Sequence, residues 1–358
     1  MTTRTLDEAK VGELCGRLFN ATIDMGEIAT LYFGEKLGLY DALVEKGPIT
    51  ASKLAEHLGL SERYLKEWLE QQAIAGFIDV EDAAGERRFS LSPEHAVVFT
   101  QRTSPEYFAF AGSFFEAVGR VIPALLEGFK TGRGVPYSAY GPNGPSVQSA
   151  ITLPGYVNSL VSEWVPQIPG LKEKLEGGAR VAEVACGTGV AAIELAKAFP
   201  NIRIDGYDLD ETSIATARRN AAEAGVSDRV TFQVHDVRDP KLEGTYDVVS
   251  VFEAVHDMGD PIATLATLKR LLATGGIAVV ADEKVQDEFT APGDEIERFM
   301  ALSSVLWCLP QGLADGPDAH GTLMRAPEFQ SYARKAGWSG AEVLPIEHMS
   351  WRFYRLVA

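Results

Sequence analysis

Apolar residues recur at helical spacing through Leu14, Leu18, Ile23, Ile28, Leu31, Leu37, Leu39 and Leu43, which predicts one or two helices over residues 11–45. After a short extended piece at Gly47–Thr50, Ala51–Leu58 reads as a helix closed by Gly59. A second helix, Glu62–Ala73, is capped by Ser61. Gly76–Val80 and Arg88–Leu91 read as strands on either side of a turn, Asp82–Gly85. Two helices across a tight turn followed by a hairpin form the pattern of a winged helix-turn-helix. Residues 101–175 predict an aromatic-rich helical connector that starts at Ser104-Pro105-Glu106, with proline in the first turn. The Gly/Pro-rich stretch Gly132–Pro145 reads as irregular, and Gly155–Trp164 as another helix.

Beyond residue 175 the pattern changes to short apolar runs that alternate with helices. Strands are expected at Val181–Val184, Arg203–Asp208, Arg229–Asp236, Tyr246–Phe252 and Ile277–Asp282. The helices are Val190–Phe199, Ile262–Leu272 (stopped at Gly275-Gly276) and Pro327–Ala336. An insertion of some 40 residues follows the fifth strand, and Ala341–Ile346 with Trp351–Val357 reads as a terminal antiparallel pair. Strands alternating with helices predict an α/β fold with a largely parallel, Rossmann-like sheet. The expected division is 1–100, 101–175 and 176–358.

The chemistry concentrates where the first of these strands runs into a glycine turn, Glu183-Val-Ala185-Cys-Gly187-Thr188-Gly189. Glycines let a nucleotide-like ligand lie against bare backbone. About 20 residues on, the next strand ends in Asp208, where a ribose hydroxyl pair would sit, and the third ends in Asp236. A dinucleotide site wants G-x-G-x-x-G; here those positions are Ala185, Gly187 and Val190, so two of the three glycines are missing.

The spacing Glu183-x-Ala185-x-Gly187-x-Gly189 instead resembles motif I of the class I S-adenosylmethionine (SAM)-dependent methyltransferases, with Ala185 in place of the usual first glycine. The resemblance spans Gly177–Ala358 and implies a seven-stranded Rossmann-like domain. It implies that Glu183, Ala185 and the Gly187-Thr188-Gly189 turn face the methionine part of SAM, and that Asp208 takes both ribose hydroxyls. By the same likeness Leu209 packs on the adenine, Asp236 accepts from its amine, and Val237 offers backbone beside it. Phe252 belongs to the same cofactor wall, and Tyr156 is an aromatic that could cover cofactor or substrate; S-adenosyl-L-homocysteine is the implied product.

Phe252-Glu-Ala-Val-His256-Asp257-Met258 resembles the His-Asp-Trp element of small-molecule O-methyltransferases, whose histidine is the general base. Met258 stands where that family has tryptophan. The likeness makes His256 either the base or a pocket residue, with Asp282 or Glu283 as the acid that orients it. The other histidines show no ligand spacing, so no metal is predicted.

Composition narrows the partners. The net charge is −17, with basic residues interspersed among acids, which disfavours nucleic acid and anionic membrane. In the winged helix, Glu62, Glu67 and Glu70 oppose Arg63 and Lys66. The mainly helical N-terminal domain therefore reads as a dimerisation module, as in the small-molecule O-methyltransferases it resembles, rather than a DNA reader. The first ten residues hold no secretory apolar stretch, no run reaches a bilayer span, and three dispersed cysteines suggest no disulfide framework, so a cytoplasmic address is expected. Two functions remain: a homodimeric SAM-dependent methyltransferase of a small acceptor, at oxygen, or a SAM-sensing winged-helix regulator that binds DNA.

Overall fold

The computed structural model describes residues 6–83, 85–239 and 241–358. Residues 1–5, part of the stretch read above for a secretory signal, lie outside that description, as does Ala84 in the expected wing turn. The chain forms two compact units, residues 1–117 and 118–358.

In the first unit a 29-residue helix, Glu8–Lys36, is capped by the Asp7 side chain and followed by the helix Leu39–Lys46. The helices Ala51–Leu58 and Glu62–Ile74 come next, then the hairpin β1 (Asp79–Ala83) and β2 (Glu86–Ser90). Thr50 accepts from the Lys53 amide, and Gly59 takes a left-handed conformation (φ 66°) that ends the shorter helix. Leu54, Leu65, Leu69 and Phe89 are buried between these elements, which makes a winged helix. Three of its basic groups are paired locally: Arg63 with Glu67, Lys66 with Glu70 at 4.0 Å, and Arg87 with Glu70 at 2.5 Å. Basic groups engaged in this way are less free for contact with DNA phosphates.

The helix expected from Ser104 begins instead at Phe110. Ser104 Oγ accepts from the Glu106 amide at 3.2 Å and donates to its carboxylate at 2.5 Å, and this local turn holds the chain out of a helix. The stretch 132–145 is less irregular than its composition suggests. It contains a 3-10 turn, Tyr137–Tyr140, and the start of the helix Asn143–Gly155. Pro145 falls in that helix's first turn, where its missing N–H leaves no bond unmade. The helix runs on as a π-helical segment, Tyr156–Trp164.

The second unit is built on a seven-stranded sheet: β3 (Arg180–Val184), β4 (Arg203–Asp208), β5 (Val230–Val234), β6 (Tyr246–Phe252), β7 (Leu272–Glu283), β8 (Gly340–Val343) and β9 (Trp351–Val357). The spatial order is β5-β4-β3-β6-β7-β9-β8, parallel except for β9, which runs antiparallel to both neighbours. The order reverses at β3, so the crevice beyond the carboxyl ends of β3 and β6 is where an open α/β sheet holds a ligand. Both sheet faces are covered by apolar clusters, one around Ile193, Ile204, Ile214 and Phe353, the other around Val249, Leu268, Phe329 and Trp338. The expected stop at Gly275-Gly276 has another form. The helix Pro261–Leu271 ends earlier, β7 begins at once, and its pairing with β6 shifts between Leu272 and Ile277, with Gly275 at φ 74°. The glycines thus absorb extra residues within the strand rather than ending the helix. No helix among the described residues is long and apolar enough to cross a membrane.

Candidate functional site

The chain turns sharply where β3 and β6 end. Ala185 and Glu253, the residues just past each strand, both lie in the left-handed region at φ 54° and 53°, which costs a residue with a Cβ about 1–2 kcal/mol. Such strain persists where the surrounding fold dictates it, and it marks functional turns. Between these turns lies a cavity of about 440 Å³, within the range of small-molecule sites. A smaller one of about 80 Å³ adjoins it and shares Tyr137, Gln148, Ala185, Gly187, Ser213 and Glu253 with it.

Most of the residues singled out by sequence meet here. Asp208, Leu209, Asp236 and Val237 line the larger cavity; Glu183, Thr188, Phe252 and Tyr156 line the smaller; Ala185 and Gly187 border both. Gly189 borders neither. A Cβ there would stand 2.4 Å from the Phe232 ring, so this glycine permits close packing of helix on sheet. Tyr156 is buried among the rings of Phe252, Trp164 and Trp351, with centroids 5.8–6.2 Å away.

Asp208 Oδ2 accepts from the Gly187 amide at 2.8 Å and Oδ1 from the Asp210 amide at 2.9 Å. Burial raises its pKa, against the pull of these amides. Glu183 is 4% exposed, and burial, with the Asp208 charge beside it, pushes it up to about 8; its Oε2 has no hydrogen-bond partner among the described residues. Asp236 is held below the usual carboxylate range by Arg238, whose Nε and Nη2 each donate at 2.9 Å, and Arg238 also reaches Asp315 at 2.7 Å.

Behind the cavity, His256 is 2% exposed and does not border it, whereas Asp257 does. His256 Nδ1 lies 2.6 Å from Asp282 Oδ1, and the His256 amide donates to Asp282 Oδ2 at 3.3 Å. Burial works against the imidazolium, but the carboxylates of Asp257 and Asp282 outweigh it, and the pKa is raised. Of the two acids named for orienting the ring, Asp282 makes the contact. Glu283 lies buried beside Glu253, and burial pushes it to about 8.

Sequence reasoning missed Glu253, Tyr137 and Gln148, which border both cavities. Glu253 was findable as the residue just past a strand end; Tyr137 and Gln148 sit in and after a Gly/Pro-rich stretch with no spacing signal. The larger cavity's wall offers six carboxyl groups, Asp208, Asp210, Asp236, Glu253, Asp257 and Asp315, against one guanidinium, Arg238, which pairs with Asp236 and Asp315. Burial raises the pKa of Asp208, Glu253 and Asp257, and a cation beside them favours their charged form, so the wall suits a cationic sulfonium better than the pyrophosphate of a dinucleotide.

Comparison with known proteins agrees with this geometry. A family model described as "Methyltransferase domain" matches residues 175–323, and one described as "Rv2258c-like winged HTH domain" matches residues 28–101. The chain is 30% identical over 194 residues to a ubiquinone biosynthesis O-methyltransferase of Bordetella avium, covering 54% of this chain and 73% of that protein. The counterpart from Aromatoleum aromaticum is 26% identical over 194 residues, with 54% and 75% covered. In fold, it is similar to mitomycin 7-O-methyltransferase MmcR (TM-score 0.73, 17% identity, 98% and 99% covered). It is equally similar to human N-acetylserotonin methyltransferase solved with SAM (TM-score 0.73, 15% identity, both chains fully covered).

Proposed function

The chain belongs to the class I SAM-dependent methyltransferases with an N-terminal winged-helix domain, and on that premise we propose that it methylates a small, partly apolar acceptor at oxygen. SAM is the methyl donor; when bound, it supplies an electrophilic methyl on a sulfonium sulfur. The observation that carries the reading is the acidic cavity between the two strained turns, at the carboxyl edge of β3 and β6.

Asp208 retains acceptor capacity on both oxygens beyond its two amide bonds, which suits a ribose diol. Asp236, tied to Arg238, keeps one acceptor position toward the adenine amine, with Leu209 and Val237 as apolar neighbours. Glu183 and the turn around Gly187 and Thr188, with Phe252 and Tyr156 behind, enclose the smaller cavity for the methionine part. The acceptor occupies the side lined by Asp257, Met258 and Gln311. Its proton passes to His256 in the fraction of molecules whose ring is neutral, and Asp282 holds the ring so that the imidazolium is stabilised. The two curated relatives named above, both O-methyltransferases, support oxygen as the acceptor atom.

We assign residues 1–100 to dimerisation, 101–175 to a connector and lid, and 176–358 to catalysis. The long N-terminal helix leaves Leu14, Leu18, Phe19 and Ile23 exposed, which suits burial against a second copy. Two of the three free cysteines are buried, and a reducing, cytoplasmic compartment suits them. Labelled methyl from SAM should appear on oxygen in a screen of phenols, hydroxyquinones and amines. Transfer to amines alone would overturn the oxygen assignment.

A further inference from the structure

Two distant stretches bring three different donors to one point. His256 and Asp257 sit in the turn after β6, and Cys308 in the helical insertion after β7; Nε2, a carboxylate oxygen and Sγ lie within 4.8 Å of one another. Three features make this more than a chance approach. His256 Nδ1 is engaged by Asp282 at 2.6 Å, so Nε2 is the ring atom turned toward the other donors. A carboxylate behind the imidazole is the usual support of a metal-bound histidine.

Asp257 Oδ1 lies 3.3 Å from that Nε2, yet it makes no hydrogen bond among the described residues. The two atoms are close without being aimed at each other. Two atoms each ~2.0 Å from a tetrahedral zinc lie about 3.3 Å apart. His256, Cys308 and the Oδ1 atom of Asp257 are buried, and the Asp257 residue lines the larger cavity; a tetrahedral cation on three protein ligands keeps a fourth position for a water.

We propose that His256 Nε2, Asp257 Oδ1 and Cys308 Sγ form a binding site for a divalent cation of borderline softness, with Zn²⁺ the best match to a nitrogen, oxygen and sulfur donor set. Binding converts the Cys308 thiol to a thiolate and releases its proton to solvent. This site goes beyond methyl transfer. Resting on the reading of His256 given above, it also predicts that the cation slows transfer, because it takes the nitrogen that receives the proton.

The test uses the full chain, stripped with chelator and titrated with Co²⁺ as a spectroscopic probe. One equivalent should bind with visible d–d bands and a near-ultraviolet thiolate-to-cobalt band, and Zn²⁺ should abolish both. Cys308→Ser should lose the thiolate band, and Asp257→Asn should weaken binding about 10- to 100-fold. Cys15→Ser, which removes the exposed cysteine, should change neither. A wild-type chain that takes up no Co²⁺, or a thiolate band that survives Cys308→Ser but not Cys15→Ser, overturns the site. SAM calorimetry on the same samples separates the two readings. A chain that binds SAM but not Co²⁺ refutes the metal site alone, and one that binds Co²⁺ but not SAM refutes the methyl-transfer reading alone.

Discussion

The Gly187 amide donates to Asp208 Oδ2 at 2.8 Å, tying the turn after β3 to the carboxylate that ends β4. One side chain thus both shapes the glycine turn and stands in the cavity wall. Replacing Asp208 by Ala removes the acceptor for SAM and loosens the turn. Calorimetry should register a loss of about 2–4 kcal/mol in SAM affinity. Wild-type affinity in that variant would remove Asp208 from the site.

Ala185 carries a positive φ of 54°. Glycine takes this conformation without the steric cost of a Cβ, set against the greater freedom it gives the unfolded chain. Ala185→Gly should therefore hold or raise the melting temperature, by up to about 1 kcal/mol of stability. A clear fall in thermal unfolding temperature would mean that the methyl group packs against something that outweighs the strain.

His256→Asn keeps a side chain that can face Asp282 and removes the proton acceptor. It should lower kcat by roughly 10²–10⁴-fold with SAM affinity nearly unchanged. Turnover of a verified substrate within a few-fold of wild type would leave alignment alone to carry the reaction.

His348 Nδ1 accepts from the Trp351 amide at 2.9 Å, and the ring stacks on Trp351 with centroids 4.7 Å apart. Burial, aided by the Lys284 charge, lowers its pKa from 6.5 to about 4. The folded chain therefore keeps the ring neutral where the unfolded chain takes up a proton. This contribution is complete above pH 6.5 and is lost as pH falls toward 4. Partial exposure reduces it to roughly 1–2 kcal/mol. Denaturant unfolding at pH 7 and pH 5 should show a smaller decline in His348→Gln than in wild type; an equal decline would assign the acid sensitivity elsewhere.

Leu18 and Phe19 are 59% and 68% exposed on the N-terminal helix. If a second copy covers them, Leu18→Glu places a charge in an apolar interface and should shift sedimentation from dimer to monomer at micromolar concentration. A monomeric wild type would remove the dimer from the proposal.

Much of the fold was legible because local patterns agree with it. The glycine turn, the carboxylate about 20 residues on and the alternation of apolar runs with helices all follow from backbone geometry over short distances. The departures arose where a neighbour decided the outcome: Ser104 closes a turn on Glu106, and Gly275-Gly276 is absorbed by pairing with β6. Proline and glycine marked 132–145 as loop, yet a proline in a first turn does not oppose a helix.

By itself, the sequence determined the family, the sheet and the cofactor edge, since these depend on residues close together in the chain. Only tertiary structure decided which acid holds His256, that Asp257 rather than the imidazole faces the cavity, and that Cys308 approaches them across about 50 residues of chain. The first depends on the pairing of β6 with β7, and the last on how the insertion after β7 packs against the turn after β6. No periodicity records it, because long-range side-chain convergence is set by packing and burial rather than by spacing.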